Sequence, residues 1–280
     1  MLTPGASRLS PGAKPSPARV AFLLATVGVG ALLVLALYRA LVGQSSFAAW
    51  STLGLAVLGW VVLSTFGVFF PWLAMYGPVV SRGPRGLNRV ALTFDDGPHP
   101  VTTRRVLELL RGTPHRATFF VLADKVARHP EVVREIFGDG HTIALHGAVH
   151  DRLHSFRGAN RVERELRGAR AELEALIGEQ VRWFRPPLGH TSPATMRGVA
   201  RVGLNVIGWS SRGYDGLERT SSREVLRRVL GTLNDGAIVL LHDAAERDDF
   251  EPKSLLILPE LLAALDARGL RSVGLNTWLK

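Results

Sequence analysis

The sequence predicts an α/β fold, a barrel of parallel strands, preceded by an N-terminal two-span transmembrane helical hairpin. Three observations carry this prediction. From residue 90 onward, seven short β-rich apolar runs alternate with six helical segments, and the runs lack the apolar–polar alternation of a half-exposed sheet, as parallel strands covered on both faces do. The residues able to do chemistry stand just after these runs, where a β/α barrel builds its active sites. Ahead of them, two uncharged apolar stretches, 20–38 and 47–70, are each long enough to cross a bilayer core, which takes about 20 helical residues.

Residues 1–19 read as a disordered tail, because four prolines mixed with serine, glycine and three bases cannot bury enough apolar surface to order themselves. Residues 20–76 read as the membrane hairpin, with a polar break at 39–46 and with Trp72 and Tyr76 trailing as an interfacial belt. The first stretch is long for a cleaved signal, and no small-x-small site sits squarely after it. Arg8, Lys14 and Arg19 precede the first span, Arg82, Arg85 and Arg89 follow the second, and only Arg39 lies between. The positive-inside rule then places both ends on the cytoplasmic side of a bacterial inner membrane. Residues 77–89 read as a linker and 90–280 as the barrel domain. Its strands are expected at 90–94, 117–122, 141–145, 181–184, 204–209, 237–241 and 270–275. Pro130 suits a first helical turn, Ser192-Pro193 offers an N-cap followed by a proline, and Ser221 with Glu224 has capping-box spacing. In the helix over 160–177, Val162, Leu166, Ala169, Leu173 and Leu176 form one face, and Gly178 ends it.

Charge narrows the function classes. Residues 1–94 hold no Asp or Glu, while the remainder holds all 24 acids, so the basic excess is not spread over the globular part as a nucleic-acid groove would need. Nucleic acid is therefore excluded as a partner. Of the 34 bases, 30 are arginine, a bias attributed to genome composition before function. The spans carry no charge and little strong polarity beyond the adjacent Gln44, which leaves no pathway for a transporter. The absence of cysteine fits either redox compartment.

Asp95 and Asp96 follow the first run, His146 and His150 the third, Arg185 the fourth, Asp215 the fifth and His242 the sixth. Two adjacent acids at a strand end point in different directions, so one can hold a cation while the other acts on water or substrate. Two histidines four apart on one helical turn can share an ion. Each piece alone is commonplace, since a double Asp before Gly-Pro usually marks a turn and a His pair usually marks a solvated face. Their convergence on one barrel mouth distinguishes them.

In order, Thr93-Phe94-Asp95-Asp96-Gly97-Pro98, His146-Gly147-Ala148-Val149-His150, Arg185-Pro186-Pro187-Leu188-Gly189, the segment 209–216 and Leu240-Leu241-His242 resemble the five motifs of the NodB-homology polysaccharide deacetylases, carbohydrate esterase family four. The resemblance covers roughly residues 88–280. It implies a distorted (β/α)7 barrel holding one divalent cation, zinc first with cobalt or another divalent ion possible, and removal of an N- or O-acetyl group from a sugar. By position it implies Asp96, His146 and His150 as metal ligands, Asp95 as general base and His242 as general acid. Asp215 would tune that acid and Arg185 orient the base. Pro186, Leu188, Trp209 and Leu240 would line the substrate site, with the Leu188 backbone N–H as oxyanion donor. Four positions depart from the family pattern. Gly147 stands where Ser or Thr is usual, so a looser metal loop is expected. Leu188 replaces Tyr, Arg212 replaces an Asp and Gly216 replaces a Trp, which alters one wall of the substrate site.

The expectation is a membrane-anchored, metal-dependent deacetylase of an acetylated amino-sugar polysaccharide. A second form of the same chemistry would act on a sugar attached to a polyprenyl lipid at the inner leaflet. A third reading is a non-catalytic carbohydrate-binding protein, which predicts no acetate release with metal bound. The remaining histidines are expected as surface, cap or turn residues, and the acidic stretch 246–251 as a lid or, more simply, a solvated loop.

Overall fold

A computed structural model of the chain describes residues 15–246 and 250–279. The expectations for 1–14, with Arg8 and Lys14, and for 247–249 lie outside the described residues.

Two helices come first, α1 (Pro17–Leu41) and α2 (Phe47–Phe69). Both are long and apolar enough to cross a membrane. Helix α1 starts three residues before and ends three residues after the expected 20–38, so residues 17–19 of the expected disordered tail are helical, with Ser16 capping the first turn by accepting from Arg19 N. Helix α2 starts at the expected Phe47, where Ser46 accepts from Ala49 N, and ends one residue short of 70. The pair is held together by Phe22 stacked on Trp60 and by Trp60 Nε1 donating to Thr26 Oγ1 at 2.9 Å. Most of their apolar surface stays uncovered by protein, including Leu24, Val27, Val34, Leu55 and Leu58. The entry to α1 meets the exit of α2, where Ser16 Oγ donates to Leu73 O at 2.8 Å. The far end of α2 rests on the barrel. Thr191 N donates to Val68 O at 3.2 Å and Thr191 Oγ1 to Gly67 O at 3.1 Å.

The barrel domain runs β1 (Val79–Val80), β2 (Arg89–Asp95), α3 (Thr102–Leu110), β3 (Ala117–Leu122), α4 (Ala123–Arg128), α5 (Pro130–Gly138), β4 (Thr142–Gly147), α6 (Ala159–Ile177), β5 (Trp183–Phe184), α7 (Pro193–Val202), β6 (Asn205–Ile207), β7 (Ser211–Arg212), α8 (Ser222–Thr232), β8 (Ile238–His242), α9 (Ser254–Ala267), β9 (Arg271–Ser272) and α10 (Leu275–Trp278). The sheet order is β1-β6-β5-β4-β3-β2-β8-β7, with β9 also on β2, and every strand pairing is parallel. It curls into a half-barrel. The segment after α2 bridges its open side, since Gly208 N donates to Val80 O and Gly83 N to Gly236 O, both at 2.9 Å.

All seven expected runs contain strand, and the differences have local causes. The runs at 181–184, 204–209 and 270–275 shrink to two or three paired residues; the last turns directly into α10. Strands β1, inside the expected linker, and β7 were not anticipated, because two residues carry no periodicity. Asp215 consequently follows β7 rather than the fifth run. The helix signals hold at Pro130, at Ser192 and at Gly178, whose φ is 70°. Ser221 caps α8, but Glu224 turns away from the reciprocal bond to pair with Arg227 and Arg228.

The missing alternation in the strands is explained by two apolar layers. Val90, Leu92 and Phe94 of β2 and Ala117, Phe119 and Val121 of β3 face the helices. Ala91 and Phe120 face the barrel interior with Trp183, Ile207, Trp209, Leu240 and Trp278. Burying a Phe or Leu side chain contributes roughly 1.5–3 kcal/mol, and this rigid double layer fixes the strand ends that carry the site.

Candidate active site

The carboxyl ends of β2, β4 and β8 and the loops after β5 and β7 enclose a cavity of about 530 Å³. Asp95 and Asp96 come from the end of β2, His146 and His150 from the end of β4, and His242 from the end of β8. Asp95 ends the regular strand. Asp96 then adopts φ 74°, a left-handed conformation that Asp tolerates better than most residues, which sends the two carboxylates apart. Gly97 follows because a Cβ there would strike the Asp243 carboxylate.

Asp96, His146 and His150 each offer a ligand atom, and these atoms all lie within 4.8 Å of one another. His146 Nε2 is 3.3 Å and His150 Nε2 3.6 Å from Asp96 Oδ1. His146 Nδ1 donates to Arg185 O at 2.8 Å, which fixes the tautomer and leaves Nε2 with its lone pair toward Asp96. Asp96 Oδ1 is buried without a hydrogen-bond partner. A buried, unsatisfied carboxylate oxygen facing two imidazole nitrogens is the donor set of a divalent cation with open positions left over, so the residues fit the expected metal. Burial would raise the Asp96 pKa, but the neighbouring His146 outweighs it and keeps the group ionised. Burial lowers the His150 pKa, so it stays neutral and able to ligate. Gly147, the departure expected to loosen this loop, sits at an irregularity in the β3–β4 register with φ 135°. A bulge there re-aims the strand end, and its backbone conformation is one that side chains disfavour.

Asp95 is held from below by Arg185, which is completely buried. Arg185 Nη1 donates to Asp95 Oδ1 at 2.6 Å and to Thr93 Oγ1 at 2.9 Å, and Nη2 donates to Gly208 O at 3.0 Å. The guanidinium stacks 4.2 Å over Phe120. A planar fork satisfied in this way aims one carboxylate in one direction. His242 pairs with Asp215 in two places, its backbone N donating to Oδ2 at 2.7 Å and its Nδ1 lying 3.1 Å from Oδ1. Burial alone would lower the His242 pKa, but the Asp215 carboxylate, aided by Asp96 and Asp95, pushes it up to about 10. A bound cation would offset the share contributed by the last two.

The expected residues Asp95, Asp96, His146, His150, Leu188, Trp209, Asp215, Leu240 and His242 all line the cavity. Arg185 acts from beneath it. Pro186 does not reach it: it is buried in the turn that positions Leu188, whose φ of 57° places its backbone at the rim. That correction follows from the left-handed turn, which brings Leu188 and Gly189 to the mouth and leaves Pro186 and Pro187 buried behind them. Gly189 is required there because a Cβ would enter the Trp209 ring, and Gly216 leaves its space to His242, whose Cε1 a Cβ would approach to 3.0 Å. Arg152, Tyr214, Leu217, Glu246 and Phe250 line the cavity without having been singled out as its walls. Glu246 belongs to the acidic stretch noted in the sequence; it pairs with Arg152 at 2.7 Å and lies 3.5 Å from His150 Nδ1.

A family profile described as polysaccharide deacetylase matches residues 82–207. A chitooligosaccharide deacetylase from Sinorhizobium fredii is 33% identical over 202 residues, covering 69% of this chain and 93% of the relative. A peptidoglycan-N-acetylglucosamine deacetylase from Bacillus cereus is 28% identical over 206 residues, covering 73% of this chain and 94% of the relative. The cobalt-bound structure of a family 4 acetyl xylan esterase from Clostridium thermocellum superposes with a TM-score of 0.62 at 28% identity, over 68% of this chain and 89% of that one. With its curled parallel sheet and its five motifs gathered at one mouth, the chain belongs to the polysaccharide deacetylase family, hydrolases of the NodB-homology class.

Proposed function

We propose that the protein is a membrane-anchored, metal-dependent deacetylase that removes acetyl groups, chiefly N-acetyl, from an amino-sugar glycan. The observation that carries this reading is the convergence of Asp96, His146 and His150 in the cavity that Asp95 and His242 also line. A divalent cation held there, zinc or cobalt, would supply Lewis acidity, activating a water and polarising the acetyl carbonyl. Asp95, aimed by Arg185, takes the proton from the attacking water. The backbone N–H of Leu188, a residue that lines the cavity, donates to the developing oxyanion. His242, kept protonated by Asp215, delivers its proton to the departing sugar amine, so acetate leaves and the amine stays on the sugar. Trp209 and Leu240 form the apolar wall against the acetyl methyl.

The hairpin at 20–76 serves as the anchor and 90–280 as the catalytic unit. The contact of Ser16 with Leu73 supports a hairpin whose two ends share one side, which the flanking arginines make the cytoplasmic side of an inner membrane. The test is acetate release from N-acetylglucosamine oligomers by the full chain in neutral detergent micelles, with metal content measured on the same sample. Release abolished by a chelator and restored by zinc or cobalt is expected. A metal-loaded protein that releases no acetate from any N-acetylated sugar would refute the proposal in favour of a non-catalytic carbohydrate-binding role.

A further inference from the structure

A second groove, of about 830 Å³, adjoins the catalytic cavity and shares Trp209, Arg212 and Tyr214 with it. Its lining contains four arginines, Arg82, Arg212, Arg227 and Arg228, and no acid. Arg227 and Arg228 share the single carboxylate of Glu224, which lies outside the lining. Arg82 donates to Asn234 and Arg212 to the Tyr214 hydroxyl, so among the described residues neither has an acidic partner. Arg212 and Arg228 lie over the same Tyr214 ring at 4.2 and 5.1 Å. Two guanidiniums converging on one ring, with two more beside them, leave about three positive charges without a counter-charge, more than one sugar carboxylate would neutralise. Trp72, half-exposed and three residues beyond the end of α2, also lines the groove. One molecule lying in this groove would have its reacting sugar at the catalytic cavity, its anionic part among the arginines and an apolar tail beside the hairpin.

We propose that this groove is a subsite for phosphate, and that the substrate is an N-acetylated amino sugar carried on a lipid through a phosphate or diphosphate link. The inference rests on the deacetylase reading and names its substrate class. Guanidinium forks bind phosphate oxygens bidentately, while Trp72 suits the headgroup level where a lipid-linked phosphate lies. One departure from the family pattern lies at the junction of the two spaces: Arg212, which lines both, puts a cation where an acid is usual. Water enters and acetate leaves at the sugar nitrogen; the phosphate link is held and not broken.

The test compares three probes bearing the same N-acetylglucosamine, presented to the full chain in neutral micelles: a dodecyl diphosphate conjugate, a dodecyl glycoside and N-acetylglucosamine 1-diphosphate without a lipid. The readouts are kcat/KM and, independently of turnover, binding to the Asp95→Asn protein. The diphosphate amphiphile should be favoured over the glycoside by about tenfold or more, as expected when charge-assisted hydrogen bonds are added. That ratio should fall with added salt and collapse in the Arg82→Gln/Arg228→Gln double variant. Equal kcat/KM and equal binding for the two amphiphiles, or a preference that survives the double variant, would overturn the subsite while leaving the deacetylase reading intact. Preferential binding of the diphosphate probes with no acetate released from any probe would keep the groove and remove the deacetylase reading. A lipid-free diphosphate that matched the amphiphile would overturn the lipid part of the proposal.

Discussion

Replacing Asp215 with Asn should move the alkaline limb of the pH–rate profile toward acid while leaving metal content unchanged. Asn keeps the carboxylate's shape, and its carbonyl oxygen can still accept from the His242 backbone N, now bonded at 2.7 Å. What it removes is the negative charge 3.1 Å from Nδ1, the main force lifting His242 from 6.5 to about 10 against burial. A hydrogen bond to a charged group is worth roughly 1.5–3 kcal/mol, and one pKa unit corresponds to about 1.36 kcal/mol, so the limb should move down by roughly one to two pH units. Because His242 works in its protonated form, activity in the variant should be lost at lower pH than in the parent and regained on acidification. The same pairing also stabilises the fold. Its contribution is fully present below 6.5 and is lost as pH rises through about 10, so the Asn variant should lose most stability below about pH 6.5 and least above about pH 10. The assay is kcat/KM for acetate release from pH 5 to 10, with metal analysis on each sample. An unchanged alkaline limb in a metal-loaded, folded variant would show that His242 is not the acid controlled by Asp215.

Asp95→Asn should retain metal while kcat falls by about 10²–10⁴, the usual worth of a general base, whereas His146→Ala should lose metal and turnover together; metal analysis beside acetate release separates the two. Arg185→Lys should lower kcat and destabilise the fold, because a point ammonium cannot hold Asp95, Thr93 and Gly208 at once; unchanged turnover would refute the orienting role. Gly189→Ala should cost about 1–3 kcal/mol, since its φ of 71° and the Trp209 ring both oppose a Cβ, read as a lower denaturant midpoint with weaker substrate binding.

The strands that run through both apolar layers were legible because burial on two faces writes an uninterrupted apolar run, as in Val90-Ala91-Leu92. Strands β1 and β7, two residues each, owe their pairing to neighbours on either side and left no pattern to read. Asp95, Asp96, His146 and His242 were legible as a converging set because each stands at or directly after a strand end, where topology fixes its direction; His150 follows three residues beyond β4. Pro186 was misplaced because a single left-handed residue, Leu188 at φ 57°, decides which side of its turn faces the cavity, and nothing in the sequence specifies that dihedral. Glu246 belonged to a visible acidic stretch, but its approach to His150 is set by a loop packed against residues nearly a hundred positions away. The arginine groove was hidden for the same reason: Arg82, Arg212 and Arg228 are distant in sequence, and the 30 arginines of the chain masked the few that meet.

The bonds from Thr191 to Gly67 and Val68 make the hairpin something other than a tether. A helix that ends in apolar surroundings leaves its last carbonyls without partners, and here the enzyme domain supplies them from the same loop that carries Leu188 to the catalytic rim. The last turn of α2 and the substrate mouth are therefore built as one joint. Removing the hairpin would strip the mouth of the footing that Thr191 finds on Gly67 and Val68. Under the proposed anchoring, the height of the reacting sugar above the bilayer would be a property of the folded protein rather than of linker length.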